Sequence, residues 1–224
     1  MAMPLQAVDR RHTVAFDLET IPDKSVIDYL PEIEVKTGNL KDPEKIKAKK
    51  EQAEKQRLEK MGLIHNQNMI CCFSFWNGKT GGSFILHEMS ATGEKKLIKT
   101  IWQILERYKF FITFNGHDFD LPILLTHTAR YGLKQSIRIS PNKYQVINHL
   151  DCYQFLSNHR PMQGSLDYYA KWFGLETGKN KGITGADIHD LYQKKDFSTI
   201  KDYCLNDAKI TYQIGDRIAQ SMCL

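Results

Sequence analysis

The sequence predicts an α/β fold: a mixed five-stranded sheet flanked by helices, in one domain spanning residues 1–224. Three observations predict it. Five short runs rich in β-branched and aromatic residues lie at 13–19, 69–76, 82–87, 110–114 and 144–150. Three of them come early, and the later ones alternate with stretches of helical periodicity, the order expected of a mixed sheet. The chain has 224 residues, 42% hydrophobic and 11% aromatic, enough to bury one sizeable core.

The first run, 13–19, is predicted to end at Thr20, Ile21 and Pro22, and 23–40, with Pro31, Gly38 and Asn39, is predicted irregular. Residues 43–60 have helical composition and lack glycine, but Ile46, Ala53 and Leu58 are too sparse for a core face. They predict a solvated helix inserted after the first strand. Gly78, Gly81 and Gly82 are assigned to the turn between the second and third strands. Leu97, Ile98, Ile101, Ile104 and Leu105 fit one face of a helix over 94–108. A helix over 118–131 tolerates Pro122 near its start. Helices are expected near 151–158, 165–173, 185–195 and 198–221. The helix bearing Leu166, Tyr169, Ala170 and Phe173 has core spacing.

No apolar stretch is long enough to span a bilayer, and no apolar run follows the charged N-terminal residues. Five scattered cysteines without Cys-x-x-Cys spacing are expected to be reduced thiols. An intracellular location and no membrane partner follow as expectations. The net charge is +5, and residues 41–60, with eight Lys/Arg against five Asp/Glu, carry +3 of it. A basic surplus permits a polyanionic partner without requiring one.

Three acidic motifs carry the chemistry. Asp17 and Glu19 stand two apart on the first strand, so both project to one face while Val14, Phe16 and Leu18 project to the other. Adjacent carboxylates repel unless a proton or cation lies between them. Alone, the pair also fits a polar strand face. In Asn115-Gly116-His117-Asp118-Phe119-Asp120, a turn leads from strand to helix. Asp120 falls in the first helical turn, where a carboxylate is favoured; capping is the alternative role for Asp118 and Asp120. Tyr203 and Asp207 stand four apart and share a helix face. Asp202 and Asp216 point elsewhere on that helix and are expected to be solvated. Asp151 ends a strand and is expected to support the site rather than hold an ion.

Together the motifs resemble the DEDD exonuclease superfamily, in its tyrosine branch. Asp202, not histidine, stands five before Asp207, and Tyr203 stands four before it. The Asn115…Phe119-Asp120 spelling is similar to the proofreading exonuclease domains of family B DNA polymerases and related stand-alone exonucleases. The resemblance implies a ribonuclease H-like fold and removal of nucleotides from 3′ ends with two divalent ions, Mg²⁺ or Mn²⁺. Hard cations suit an all-oxygen donor set. It assigns Asp17, Glu19, Asp120 and Asp207 to the metals, and Tyr203 to orienting the attacking water. It places Phe119 near the terminal bases, a place in the core being the alternative, and Asn115 at the turn or the terminal sugar. Lys179 and Lys181, in a glycine-rich loop, are candidate phosphate contacts. DNA is favoured over RNA as the nucleic-acid partner. No polymerase segment follows, so a stand-alone enzyme or subunit is expected, with any polymerase or repair partner unidentified. An exoribonuclease of the same superfamily, or an inactive nucleic-acid-binding module, remains open.

Overall fold

The computed structural model describes residues 10–35, 42–160, 164–177 and 182–222. Its sheet has five strands in the order β3-β2-β1-β4-β5. These are β1 (Thr13–Pro22), β2 (Asn68–Trp76), β3 (Gly81–Ile85), β4 (Phe110–Thr113) and β5 (His149–Asp151). β1 runs antiparallel to β2, and β2 to β3, whereas β1/β4 and β4/β5 are parallel. The helices are α1 (Pro43–Met61), α2 (Ala91–Leu105), α3 (Asp120–Arg130), α4 (Cys152–Ser157), α5 (Leu166–Trp172), α6 (Ile188–Gln193) and α7 (Phe197–Ser221).

Strand alternation sorts the core into two layers. Val14, Phe16 and Leu18 of β1 join Phe111, the apolar face of α2, and Leu121 and Leu124 of α3. Ala15 and Ile112 join Leu150, Tyr169, Ala170 and the second half of α7. α7 serves both layers, with Ile200 and Cys204 in the first and Ile210, Ile214 and Ile218 in the second. It comes so close to β4 that a Cβ at Gly215 would lie 2.4 Å from Ile112 Cγ2.

Several boundaries differ from the sequence reading. β1 continues through Ile21 and Pro22, because β2 offers Met69 and Asn68 as partners. Proline is tolerated there at the strand's last position. The register shifts between Glu19 and Thr20, leaving Cys71 as the extra residue of a bulge in β2. The nearby Ile70 N–H donates instead to Glu94 Oε1 at 2.7 Å, and this fully buried carboxylate also accepts from Tyr131 Oη and pairs with His127 Nδ1. Gly81 belongs to β3 rather than to the turn, together with Gly82, where the third run is expected to begin; a Cβ on Gly81 would strike the Phe75 carbonyl. Residues 24–29, expected irregular, form a 3₁₀ turn capped by Asp23. The fifth strand is only three residues long. Tyr144 and Ile147 are exposed, and pairing begins where Phe111 meets His149. As expected, α1 is solvated, with Met61 its one buried residue. The described cysteines Cys71, Cys72, Cys152 and Cys204 are free and buried. No helix among the described residues is long and apolar enough to cross a membrane.

Candidate active site

β4 pairs with β1 only over Thr13–Ala15, so the downstream part of β1 has no strand partner on that side. Into that space comes the start of α3. Asp120 Oδ1 accepts the Leu18 N–H at 2.9 Å, which places this carboxylate beside the peptide joining Asp17 to Glu19. Asp120 is therefore no helix cap. The cap position falls on Phe119, whose side chain makes no capping bond. Asp118 points away to a salt bridge with Lys143 and a hydrogen bond from Gln154 Nε2 at 2.6 Å.

Asp151 fixes the turn that carries Asp120. Its carboxylate accepts from the backbone N–H groups of Asn115 (2.8 Å), His117 (2.8 Å), Tyr153 (3.0 Å) and Gln154 (3.2 Å). Asn115 turns the chain in the left-handed region, at φ 63°. Gly116 follows because a Cβ there would meet Thr113 Oγ1 at 2.2 Å. Beneath the turn the rings of His117 and His149 lie 4.3 Å apart, and His149 Nε2 meets Thr113 Oγ1 at 2.8 Å.

Geometry brings Asp17, Glu19 and Asp120 together, and the charge of Asp207 acts on the same group. Burial and then the charges of Glu19, Asp120 and Asp207 push the Asp17 carboxyl far above its ordinary range. Burial and then Asp207 and, more weakly, Asp120 push Glu19 the same way, and Asp17 partly relieves it through a hydrogen bond. Burial raises Asp120 to about 7. Tyr203 is half-buried, and its phenol is pushed up by burial, by the charges of Asp207, Glu19 and Asp17, and by a hydrogen bond with Asp207. Asp202 is exposed, as expected; Asp216, expected solvated, pairs with Arg10 at 2.8 Å.

These residues fit a divalent cation. Asp17 Oδ2 is buried and has no hydrogen-bond partner. A ligand atom of Asp17, one of Glu19 and Cys204 Sγ lie within 4.8 Å of one another. A bound cation would satisfy the orphaned oxygen and offset the repulsion that raises the carboxyls. Cys204 is a neighbour that the motif reading left out; its thiol donates to the Asp17 carbonyl at 3.4 Å.

A groove of about 730 Å³ opens beside the second motif, lined in part by Phe114, Asn115, Lys143, Tyr144, Tyr153 and Arg160. Of the predicted substrate residues, Asn115 lines it. Phe119 is partly buried and packs against the core instead. Lys179 and Lys181 lie outside the described residues. Lys143, Tyr144 and Arg160, which also line it, lie in connecting segments with no motif spacing to mark them in the sequence, where Tyr144 reads as part of a strand.

Sheet order, mixed strand directions and flanking helices define a ribonuclease H-like α/β fold. The chain belongs to the family described as "Predicted 3'-5' exonuclease related to the exonuclease domain of PolB", which it matches over residues 63–220. That match includes the second and third motifs; Asp17 and Glu19 precede it. The chain is 27% identical over 167 residues to a DNA polymerase of Methanocaldococcus jannaschii, covering 65% of this chain and 10% of the polymerase. It is 24% identical over 128 residues to DNA polymerase 1 of Sulfolobus acidocaldarius, covering 54% of this chain and 15% of that protein. It therefore spans a small fraction of these relatives' length. The structure of the family B DNA polymerase from Pyrobaculum calidifontis shares the fold, with a TM-score of 0.56 and 13% identity over 92% of this chain and 24% of that one.

Proposed function

We propose that the protein is a divalent-metal-dependent 3′→5′ exonuclease of the tyrosine branch, acting on single-stranded DNA ends. The convergence of Asp17, Glu19, Asp120 and Asp207 beside Tyr203, with the Asp17 oxygen left unpartnered, carries this reading. Asp17, Glu19, Asp120 and Asp207 would hold Mg²⁺ or Mn²⁺, hard cations suited to oxygen ligands. When bound, such ions supply positive charge for ionising a water and stabilising the leaving 3′ oxygen. Asp120 stays aimed at the cluster through its bond to the Leu18 N–H. The Tyr203 phenol, held protonated by burial and by the surrounding acids, is no general base. Its hydrogen bond with Asp207 fixes the hydroxyl, whose oxygen can accept a bond from the attacking water and hold it in line. The groove beside Asn115 offers aromatic faces and the cations Lys143 and Arg160 to the last nucleotides, and Asp118 neutralises part of that charge. Stacking on such faces is worth about 1–3 kcal/mol per base and tolerates any sequence.

The test is a time course on 5′-labelled single-stranded DNA, recessed duplex DNA and RNA. A ladder descending one nucleotide at a time with Mg²⁺ or Mn²⁺, abolished by EDTA, is expected on DNA. Immediate release of a labelled mononucleotide, or cutting of a closed circle, refutes the polarity or the class. Equal or better trimming of RNA moves the substrate assignment to the exoribonuclease reading.

A further inference from the structure

α1 has no core face, yet its end is fastened at the rim of the acid cluster. Met61 is fully buried. The Gly62 carbonyl accepts from Thr20 Oγ1 at 2.6 Å and from Asn68 Nδ2 at 3.0 Å, and Thr20 directly follows Glu19. His65, just beyond, bonds through Nε2 to the Asp118 carbonyl at 3.1 Å. From this anchor the helix runs back for 19 residues, about 28 Å at 1.5 Å per residue. Only Ile46, Ala53, Arg57 and Leu58 are half-covered along that length.

Its charges are sorted around the axis. At about 100° per residue, Lys45, Lys49, Gln52, Gln56 and Lys60 fall in one stripe about 80° wide. All five are exposed. Glu44, Glu51, Glu54 and Glu59 fall outside the stripe, and Lys47, also outside it, pairs with Glu51 at 3.9 Å; at the stripe's far end Lys45 pairs with the capping residue Asp42, also at 3.9 Å. A merely solvated helix gains most from mixing charges at i,i+4 on every face. This one sets its own carboxylates, Glu44, Glu51, Glu54 and Glu59, outside a stripe of lysine and glutamine that runs from the active-site rim outward to the Asp42–Lys45 pair.

We infer that this stripe is a contact surface for the nucleic-acid strand behind its 3′ end, a polyanion tracked by Lys45, Lys49 and Lys60. The inference rests on the exonuclease reading for the direction in which the strand leaves the site. The stripe adds affinity for longer strands and takes no part in bond cleavage.

The experiment measures binding of DNA strands of increasing length to the full chain in EDTA, across a salt series. The parent is compared with the triple variant Lys45→Gln, Lys49→Gln, Lys60→Gln, its helix content checked by circular dichroism. Each phosphate contact contributes about 0.7 to the slope of log affinity against log salt for single strands. Loss of three contacts should flatten the slope by about 2, and the variant should lose the parent's gain in affinity with length. A second variant, Glu44→Gln with Glu51→Gln, alters the opposite face and should leave the slope unchanged. An unchanged slope in the lysine variant overturns the inference, as does an equal loss on the shortest strands. Cleavage by the parent is scored separately: a parent that trims 3′ ends while the lysine variant keeps its slope refutes the stripe alone. A parent that never trims, yet binds through the lysines, refutes the exonuclease reading alone.

Discussion

Replacing Asp120 by asparagine should change how stability depends on pH. Asp120 has its carboxyl raised from 3.8 to about 7 by burial. A carboxyl raised by folding makes the folded state bind its proton more tightly. Its contribution to stability is full below about pH 4 and is lost as pH rises through about 7. Integrating between those two values gives a loss of about 3 kcal/mol between pH 5 and pH 8. His149 works in the opposite sense. Burial, with His117 close by, lowers its ring to about 4, so its contribution is present above about 6.5 and falls as pH drops. That costs about 2 kcal/mol at pH 5 relative to pH 8 and opposes the Asp120 contribution in the parent's own profile. The difference between parent and Asp120→Asn removes the histidine from the comparison. Asparagine keeps an oxygen for the Leu18 N–H but cannot ionise. The variant's advantage should therefore grow by about 3 kcal/mol from pH 5 to pH 8 in EDTA, or about 6–12 °C in melting temperature for a chain of this length. Denaturant melts at both pH values measure it. Adding Mn²⁺ should stabilise the parent more at pH 8 than at pH 5, because protons and cations compete for the same oxygens. A stability difference that is constant with pH, or that shrinks towards pH 8, would refute the placement of an ionising Asp120 in a buried acid cluster.

Asp17→Ala should reduce 3′ trimming at least 100-fold, more than the roughly 10–100-fold cost of losing a group behind a metal ligand. It should leave the metal-free protein folded and no less stable, because it removes one member of a repelling set; a gel assay and a thermal melt in EDTA check both. Asp151→Ala strands four backbone N–H groups and should destabilise the fold by about 3 kcal/mol or more, read by denaturant melts. Burial tends to raise the Asp151 carboxyl, but bonds from His117 outweigh it and hold it below its usual range, so its support in the parent is lost only as pH falls below about 4. Gly215→Ala should cost about 1–3 kcal/mol by forcing α7 off Ile112, with trimming by the folded fraction reduced as Asp207 shifts; a melt and a rate per folded molecule separate the two effects.

The acid cluster was legible because its spacing is local. Two-residue alternation put Asp17 and Glu19 on one face, and four-residue spacing put Tyr203 beside Asp207. Their convergence with Asp120 was available only through the family resemblance, since no local rule brings α3 to the Leu18 amide. Strand limits were less legible because pairing partners set them. The run at 144–150 has strand-like residues, but β4 offers partners only from His149 onward. Conversely β1 outlasts its apolar run because β2 reaches Asn68. Glu94 reads in sequence as the start of an ordinary helix. Its fully buried carboxylate is explained only by the bulge that releases the Ile70 amide and by His127 and Tyr131 arriving from α3 and its end.

The bond from Cys204 Sγ to the Asp17 carbonyl spans 187 positions, and that from Leu18 to Asp120 spans 102. During synthesis, α7 is made after every other segment that bears an acid of the cluster. Until it docks, Asp207 and Tyr203 are missing and the strand acids face an open trough. Contacts between residues so far apart in sequence slow folding. The four-acid set is thus complete only once α7 has docked, and a break in the chain before Phe197 that frees α7 would remove Asp207 and Tyr203 from it without touching the strand acids.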